Sequence, residues 1–244
     1  MAGGKTIYAV IENTFLEMLK TIFGKNLVMV SIYGSYVSGN FVQGVSDVNI
    51  LILLDKPDAG QLETFGRDGY RTMRRYKITP LILSKTEFMN SADVFPMEYL
   101  DIMDRKKILF GEDITEQLSL SLKNLRHQLE DRLRGAVTSL RQAVVASRGK
   151  ERILRKWLKN WYGSMGALFR GVLRLRGAKN IPVDAEEAVR MIQQELKIDI
   201  DPFLQLIGLR KGERLHTGEF LGDLFSSLRD LITAVDTMEF GNSK

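Results

Sequence analysis

Apolar residues at Tyr8, Ile11, Phe15, Met18, Leu19 and Ile22 recur at helical spacing until Gly24, which predicts an amphipathic helix over 6–23. Leu27 to Tyr33 is a different pattern, a short apolar and β-branched run of the kind that fills a buried strand, and Gly34-Ser35 stops it. A Gly-rich polar connection through Gly39-Asn40 and Gly44 leads to a second such run, Val48 to Leu54, closed by Asp55 to Gly60. Residues 61–75 predict a helix whose polar, basic part runs from Arg67 to Arg75. Tyr76 to Ser84 predicts a third strand. Pro80 inside it requires an edge or a bulge, because proline has no N–H to give to a ladder. Residues 85–93 read as a short helix and 99–110 as containing extended structure.

After Gly111-Glu-Asp113 no further strand pattern occurs. Asp113 with Glu116 is a capping-box pattern, which predicts the start of a long helix on Leu118, Leu122, Leu125, Leu129, Leu133, Val137, Leu140 and Val144, stopped by Gly149. A second helical stripe runs from Ile153 through Trp157, Trp161 and Phe169 to Val172, and Gly177 stops it. Asp184 and Glu187 cap a third, and a last one runs from Thr217 through Phe220, Leu224, Leu228 and Leu231 to Val235. The order predicts an α+β chain: a mixed sheet with flanking helices over 1–113, then an all-α antiparallel bundle over 114–244.

Composition narrows the chemistry. With 44% hydrophobic and 27% charged residues among 244, the chain can bury a proper core. It has no cysteine, which removes disulfides, thiolate metal sites and cysteine nucleophiles. Its only histidines are His127 and His216, too few for a multi-histidine metal centre, so a catalytic metal needs oxygen ligands, as Mg2+ or Mn2+ does. Without a signal-peptide pattern or an apolar run of membrane length, the expectation is a cytoplasmic protein with no membrane partner. Charge is uneven. Between Lys123 and Lys179 stand fifteen Lys and Arg against three acids, net +12, so a chain total of +5 leaves −7 for the rest. A basic segment beside an acidic remainder suggests an anionic ligand, either a nucleoside triphosphate, nucleic acid or an acidic partner.

The most informative stretch is Ser31-Ile-Tyr-Gly-Ser-Tyr-Val-Ser-Gly-Asn-Phe-Val-Gln-Gly-Val-Ser-Asp-Val-Asn-Ile-Leu51: a strand, Gly-Ser, eleven residues, then Asp-x-Asn opening another strand. It resembles the signature of the DNA polymerase beta-like nucleotidyltransferase superfamily, whose members carry Gly-Ser or Gly-Gly and then Asp-x-Asp or Asp-x-Glu at a strand start. The variant here, with Phe95-Pro-Met-Glu-Tyr-Leu-Asp101 and Leu109-Phe-Gly-Glu-Asp113, resembles an uncharacterised bacterial branch related to the kanamycin and streptomycin enzymes. The resemblance covers residues 5–113.

It implies transfer of an NMP from a magnesium-bound NTP, ATP being the expected one, to a hydroxyl of a small molecule, protein or RNA. Residues two apart on a strand face the same way, so positions 47 and 49 point together, as a pair of metal ligands must. On this reading Gly34 and Ser35 hold the triphosphate, and Asp47 binds Mg2+ or Mn2+ with Asn49 as a weaker second ligand. Lys156 and Lys159 of the basic segment add charge for the phosphates. Two carboxylates of the active pattern are missing. Asn49 replaces one, and the third strand, Lys77 to Leu83, has no acid; Glu98 and Asp101 are possible substitutes or simply surface acids. The alternative is therefore a catalytically degenerate nucleotidyltransferase fold that binds nucleotide, nucleic acid or a protein without chemistry. Trp157, Trp161 and Tyr162 among five basic residues could stack on nucleic acid, yet the two tryptophans fall on the apolar stripe. Arg210 and His216 imitate the Arg-x(4–6)-His motif of HEPN ribonucleases, but Gly208, Gly212 and Gly218 break a segment that must be helical. His127 reads as a surface residue.

Overall fold

The computed structural model describes residues 7–37 and 47–238 and divides into two compact units: Met1–Val94 with Glu98–Leu120, and Phe95–Met97 with Ser121–Lys244. The first holds a four-stranded sheet of β1 (Leu27–Tyr33), β2 (Val48–Leu54), β3 (Ile78–Ser84) and β4 (Lys106–Phe110), in the order β3-β2-β1-β4. β1 runs antiparallel to β2 and β4, and β2 runs parallel to β3. Pro80 sits in β3, which pairs on one side only. The edge that its missing N–H requires is there.

The runs expected to be buried strands are covered on both faces. Below the sheet, Val30, Ile32, Val48, Ile50, Ile52 and Ile78 pack with Phe15, Leu19 and Phe23 of the first helical stretch and Phe65 of α2 (Ala59–Tyr76). That stretch contains a π turn at Ile11–Phe15 and continues as α1 (Leu16–Phe23). Phe65 meets Phe15 edge-on at 5.8 Å and Phe23 at 5.7 Å. Above the sheet, Met29, Leu51 and Leu53 meet Phe88 and Tyr99, whose rings stack at 4.7 Å. Phe88 lies on α3 (Lys85–Asn90) and Tyr99 on α4 (Pro96–Asp104). Ser84 starts α3 with a reciprocal capping box: its hydroxyl accepts from Glu87 N–H at 3.0 Å, and its own N–H donates to the Glu87 carboxylate at 2.7 Å.

The second unit contains α5 (Leu122–Ser147), α6 (Glu151–Tyr162), α7 (Met165–Arg176), α8 (Ala185–Leu196), α9 (Asp201–Lys211) and α10 (Thr217–Thr237). Its long helix buries Leu125, Leu129, Leu133, Val137 and Leu140 at the expected spacing. Membership of the bundle begins at Ser121, seven residues after the position read from sequence, and Met97 joins it by donating its N–H to Gln128 at 2.8 Å.

Three details differ from the sequence reading. Asp113 does not start the long helix. Its carboxylate accepts from Thr115 N–H at 3.0 Å and meets Lys106 at 3.1 Å, which holds a short 3-10 turn at Ile114–Gln117; Ser121 caps α5 instead. The stripe from Ile153 to Val172 is two helices, broken at Gly163-Ser164. The extended structure expected within 99–110 is β4, which follows the end of α4. Gly208 does not break the chain: it lies inside α9, where a Cβ would fall 2.3 Å from Glu213 Oε2, and Gly218 lies inside α10. No helix among the described residues is long and apolar enough to cross a membrane.

Candidate functional site

β1 ends at Tyr33, and the chain turns at once through a 3-10 turn, Gly34–Tyr36. Gly34 has φ +80°, a conformation open to glycine and costly for other residues. Its N–H donates to Arg105 O at 3.0 Å and its O accepts from Val37 N–H at 3.1 Å, so the turn is fixed at both ends. Antiparallel pairing then sets Asn49 opposite Tyr33. A Cβ on Gly34 would lie only 3.2 Å from Asn49 Nδ2, so the amide rests against the bare α-carbon. Asp47, two residues earlier at the mouth of β2, is exposed. Gly34, Ser35, Asp47 and Asn49 are thus gathered at one end of the β1–β2 pair by register alone. The connection through Gly39, Asn40 and Gly44 lies outside the described residues.

Thr79 occupies the third-strand position. It pairs with Asn49 across the parallel β2–β3 ladder and is exposed. The ladder neighbour of Asn49 thus carries a neutral hydroxyl and no acid. Among the described residues no three His, Cys, Asp or Glu side chains converge as a metal cage would.

Glu98 and Asp101 project from α4 into electrostatic reach of Tyr33. Burial first, then the charges of these two carboxylates, push the Tyr33 phenol above its ordinary range. The hydroxyl therefore stays protonated, a hydrogen-bond donor at the strand end. Sequence reading did not single out Tyr33, although its signal was present, as it is the last strand residue before Gly34. Tyr36, the last residue of the turn, is braced from outside. It packs with Tyr8, whose hydroxyl donates to Glu12 and whose ring lies 4.1 Å from the Lys107 ammonium. Burial, then Tyr8, raises the Tyr36 phenol as well.

Lys156 and Lys159 belong to the second unit. With Arg152, Arg155, Glu213 and Arg214 they line a cavity of about 400 Å³. Trp157 and Trp161 stack on each other at 5.4 Å, and Trp161 stacks on Phe203 at 6.5 Å. Their faces are engaged within the bundle and do not alternate with the cations. Arg210 is helical, on α9 over the Tyr162 ring at 6.0 Å, while His216 sits at the N-cap of α10 beyond the break at Gly212. The two residues do not share a helix. His127 is exposed, as expected.

No family model matches the chain, and neither does any curated protein. Solved structures do. One is the crystal structure of spectinomycin adenyltransferase AAD(9) from Enterococcus faecialis with ATP and spectinomycin, at a TM-score of 0.59 and 13% sequence identity, over 92% of this chain and 98% of that one. At that identity the likeness establishes a shared fold: the mixed sheet with flanking helices followed by a helical region is the architecture of that enzyme.

Proposed function

We propose that this chain is a nucleotidyltransferase, moving an NMP from a magnesium-bound NTP to a hydroxyl acceptor. The observation that carries the reading is the strand-end juxtaposition: a positive-φ glycine and a serine on one turn, facing Asp47 and Asn49 at the mouth of the neighbouring strand. The fold shared with an adenyltransferase solved with ATP supports it, and suggests ATP as donor and a hydroxyl-bearing small molecule as acceptor.

In this reading the backbone of the Gly34–Tyr36 turn and the hydroxyl of Ser35 approach the triphosphate, and the missing Cβ of Gly34 makes room for the Asn49 amide beside them. Asp47 is the anionic ligand for Mg2+, with the Asn49 amide oxygen as a neutral one. The donor set is all oxygen, which suits a hard dication that keeps several waters and takes the rest of its shell from substrate phosphates. One carboxylate fits a single such ion better than a pair. Bound there, Mg2+ neutralises charge on the triphosphate and on the departing pyrophosphate.

A second reading, nucleotide binding without chemistry, has one observation in its favour: Asn49 and its ladder partner Thr79 are both neutral. Thermal shift tests the binding common to both. A ligand that binds only the folded state stabilises it by RT ln(1 + [ATP]/Kd), about 2.7 kcal/mol at one hundred times Kd. ATP with Mg2+ should raise the Tm of the wild type and raise it less in Ser35→Ala and Asp47→Ala. Equal shifts in all three proteins would place the nucleotide elsewhere.

A further inference from the structure

The exposed face of α6 carries Arg152, Arg155, Lys156 and Lys159 at i, i+3, i+4 and i+7, one stripe of the helix opposite its buried Leu154, Leu158 and Tyr162. Arg214, from the connection between α9 and α10, faces the same cavity, and Glu213 is the one acid among its lining residues. That carboxylate packs against Gly208 of α9. Glu151 is also committed: it accepts from the Thr217 N–H at 3.2 Å and hydroxyl at 3.0 Å, and stands 3.9 Å from Arg155. Among the described residues Arg152, Lys156, Lys159 and Arg214 have no carboxylate within 4 Å, whereas Arg126, Arg134, Arg190 and Lys211 of the same unit are paired. Like charges crowded around a concavity repel one another unless an anion occupies it.

A second basic stripe, Arg67, Arg71 and Arg74 with Tyr70 on α2, differs. Arg67 pairs with Asp68 at 2.9 Å and Arg74 meets the Tyr70 hydroxyl at 3.4 Å.

We infer that the α6 cleft binds the sugar–phosphate backbone of a single-stranded nucleic acid. The stripe from Arg152 to Lys159 rises ~10 Å at about 1.5 Å per residue. Successive phosphates of one strand are farther apart along the backbone than the ~3.4 Å they advance along a duplex axis, so the row spans roughly two to three of them. The cations of one nucleotide's triphosphate would cluster around a point, leaving the ends of such a row unused. Because Trp157 and Trp161 stack within the bundle, no aromatic platform reads the bases, and recognition runs through phosphates alone. It is salt-sensitive and indifferent to sequence. The inference does not rest on nucleotidyl transfer, and its test contains neither NTP nor metal.

The test is fluorescence anisotropy of labelled twelve-nucleotide single strands, RNA and DNA, against the full chain from 50 to 200 mM salt. The expected slope of log K against log salt is about −0.7 per phosphate, hence roughly −1.4 to −2 for two to three contacts, with little difference between base sequences. Lys156→Glu with Lys159→Glu should weaken binding at least tenfold and flatten the slope by about 1.4, two phosphates' worth. Arg67→Glu with Arg71→Glu, an equal charge change on α2, should do neither. Protection of Lys156 and Lys159 from acetylation by the bound strand gives a readout in the unaltered protein, should the charge reversal disturb folding. Absence of binding, equal loss in the α2 variant, or no protection would overturn the inference. So would displacement of the strand by tripolyphosphate at equal phosphate concentration, the mark of a small-anion site, or by polyglutamate at equal charge, the mark of an acidic protein partner.

Discussion

Gly34 and Gly111 share a φ of +80° in the same unit, yet a methyl group added to each would meet different neighbours. At Gly34 the cost is mainly the left-handed backbone, about 1–2 kcal/mol for an L residue. The new Cβ would stand 3.2 Å from Asn49 Nδ2, a side-chain atom that can yield by a few tenths of an ångström. At Gly111 the same backbone cost applies, but the Cβ would lie 2.0 Å from Val28 O and 3.1 Å from Met29 Cα. Those are atoms of β1, and they cannot retreat without disturbing its pairing with β4 around Val30 and Phe110. Overpacking adds about 1–3 kcal/mol where neighbours shift, and a backbone contact belongs at the upper end. Gly34→Ala should therefore cost about 1–2 kcal/mol and Gly111→Ala about 3 kcal/mol or more. Urea unfolding of the first unit's transition measures both, as a change in midpoint at constant m. Equal losses would refute the reasoning, because the neighbours would then not matter. A neutral Gly111→Ala would mean that the close approach of residue 111 to β1 is wrong.

Two further predictions concern charge. Asn49→Asp restores a second carboxylate beside Asp47, so isothermal titration should show tighter Mg2+ or Mn2+ binding than in the wild type; equal affinities would remove Asn49 from the explanation of the incomplete ligand set. Burial raises the Asp113 carboxyl, but the Thr115 hydroxyl, the Lys106 side chain and the Thr115 N–H outweigh it, and the net shift is downward. A carboxyl depressed in the folded state contributes stability above its unfolded pKa, about 3.9, and loses it as pH falls through the folded value. The Tm of Asp113→Asn should thus lie below the wild type at pH 5–7, with the gap closing between about pH 4 and 2. A gap of constant size across that range would show that the ionised carboxylate is not responsible.

The parts of this fold legible in the sequence are those with a strong local cause. The runs Leu27–Tyr33 and Val48–Leu54 are buried strands because both faces of the sheet are covered, and Pro80 marked an edge that exists. The convergence of Gly34, Ser35, Asp47 and Asn49 followed from a strand–turn–strand reading, since antiparallel pairing fixes register. What stayed hidden depended on distant partners. Asp113 looks like a helix cap, and only Lys106, brought alongside it by β4, diverts it to a separate turn. Gly208 looks like a breaker, yet it lies inside α9, and its missing Cβ leaves the space that Glu213 fills. Glu98 and Asp101 could be assigned to Tyr33 only once α4 was in place. The stripe on Arg152, Arg155, Lys156 and Lys159 was visible as charge, but not as a cleft, until Arg214 joined it.

The most direct test of the central claim is pyrophosphate release from ATP by the wild type and Asp47→Ala, with Mg2+ or Mn2+, across a panel of hydroxyl acceptors that includes spectinomycin and RNA. Nucleotidyl transfer at the Gly34–Asp47 end of the sheet predicts release that needs both metal and an acceptor and that is lost in Asp47→Ala. Release unchanged by Asp47→Ala would contradict the account, as would binding of ATP without pyrophosphate from any acceptor.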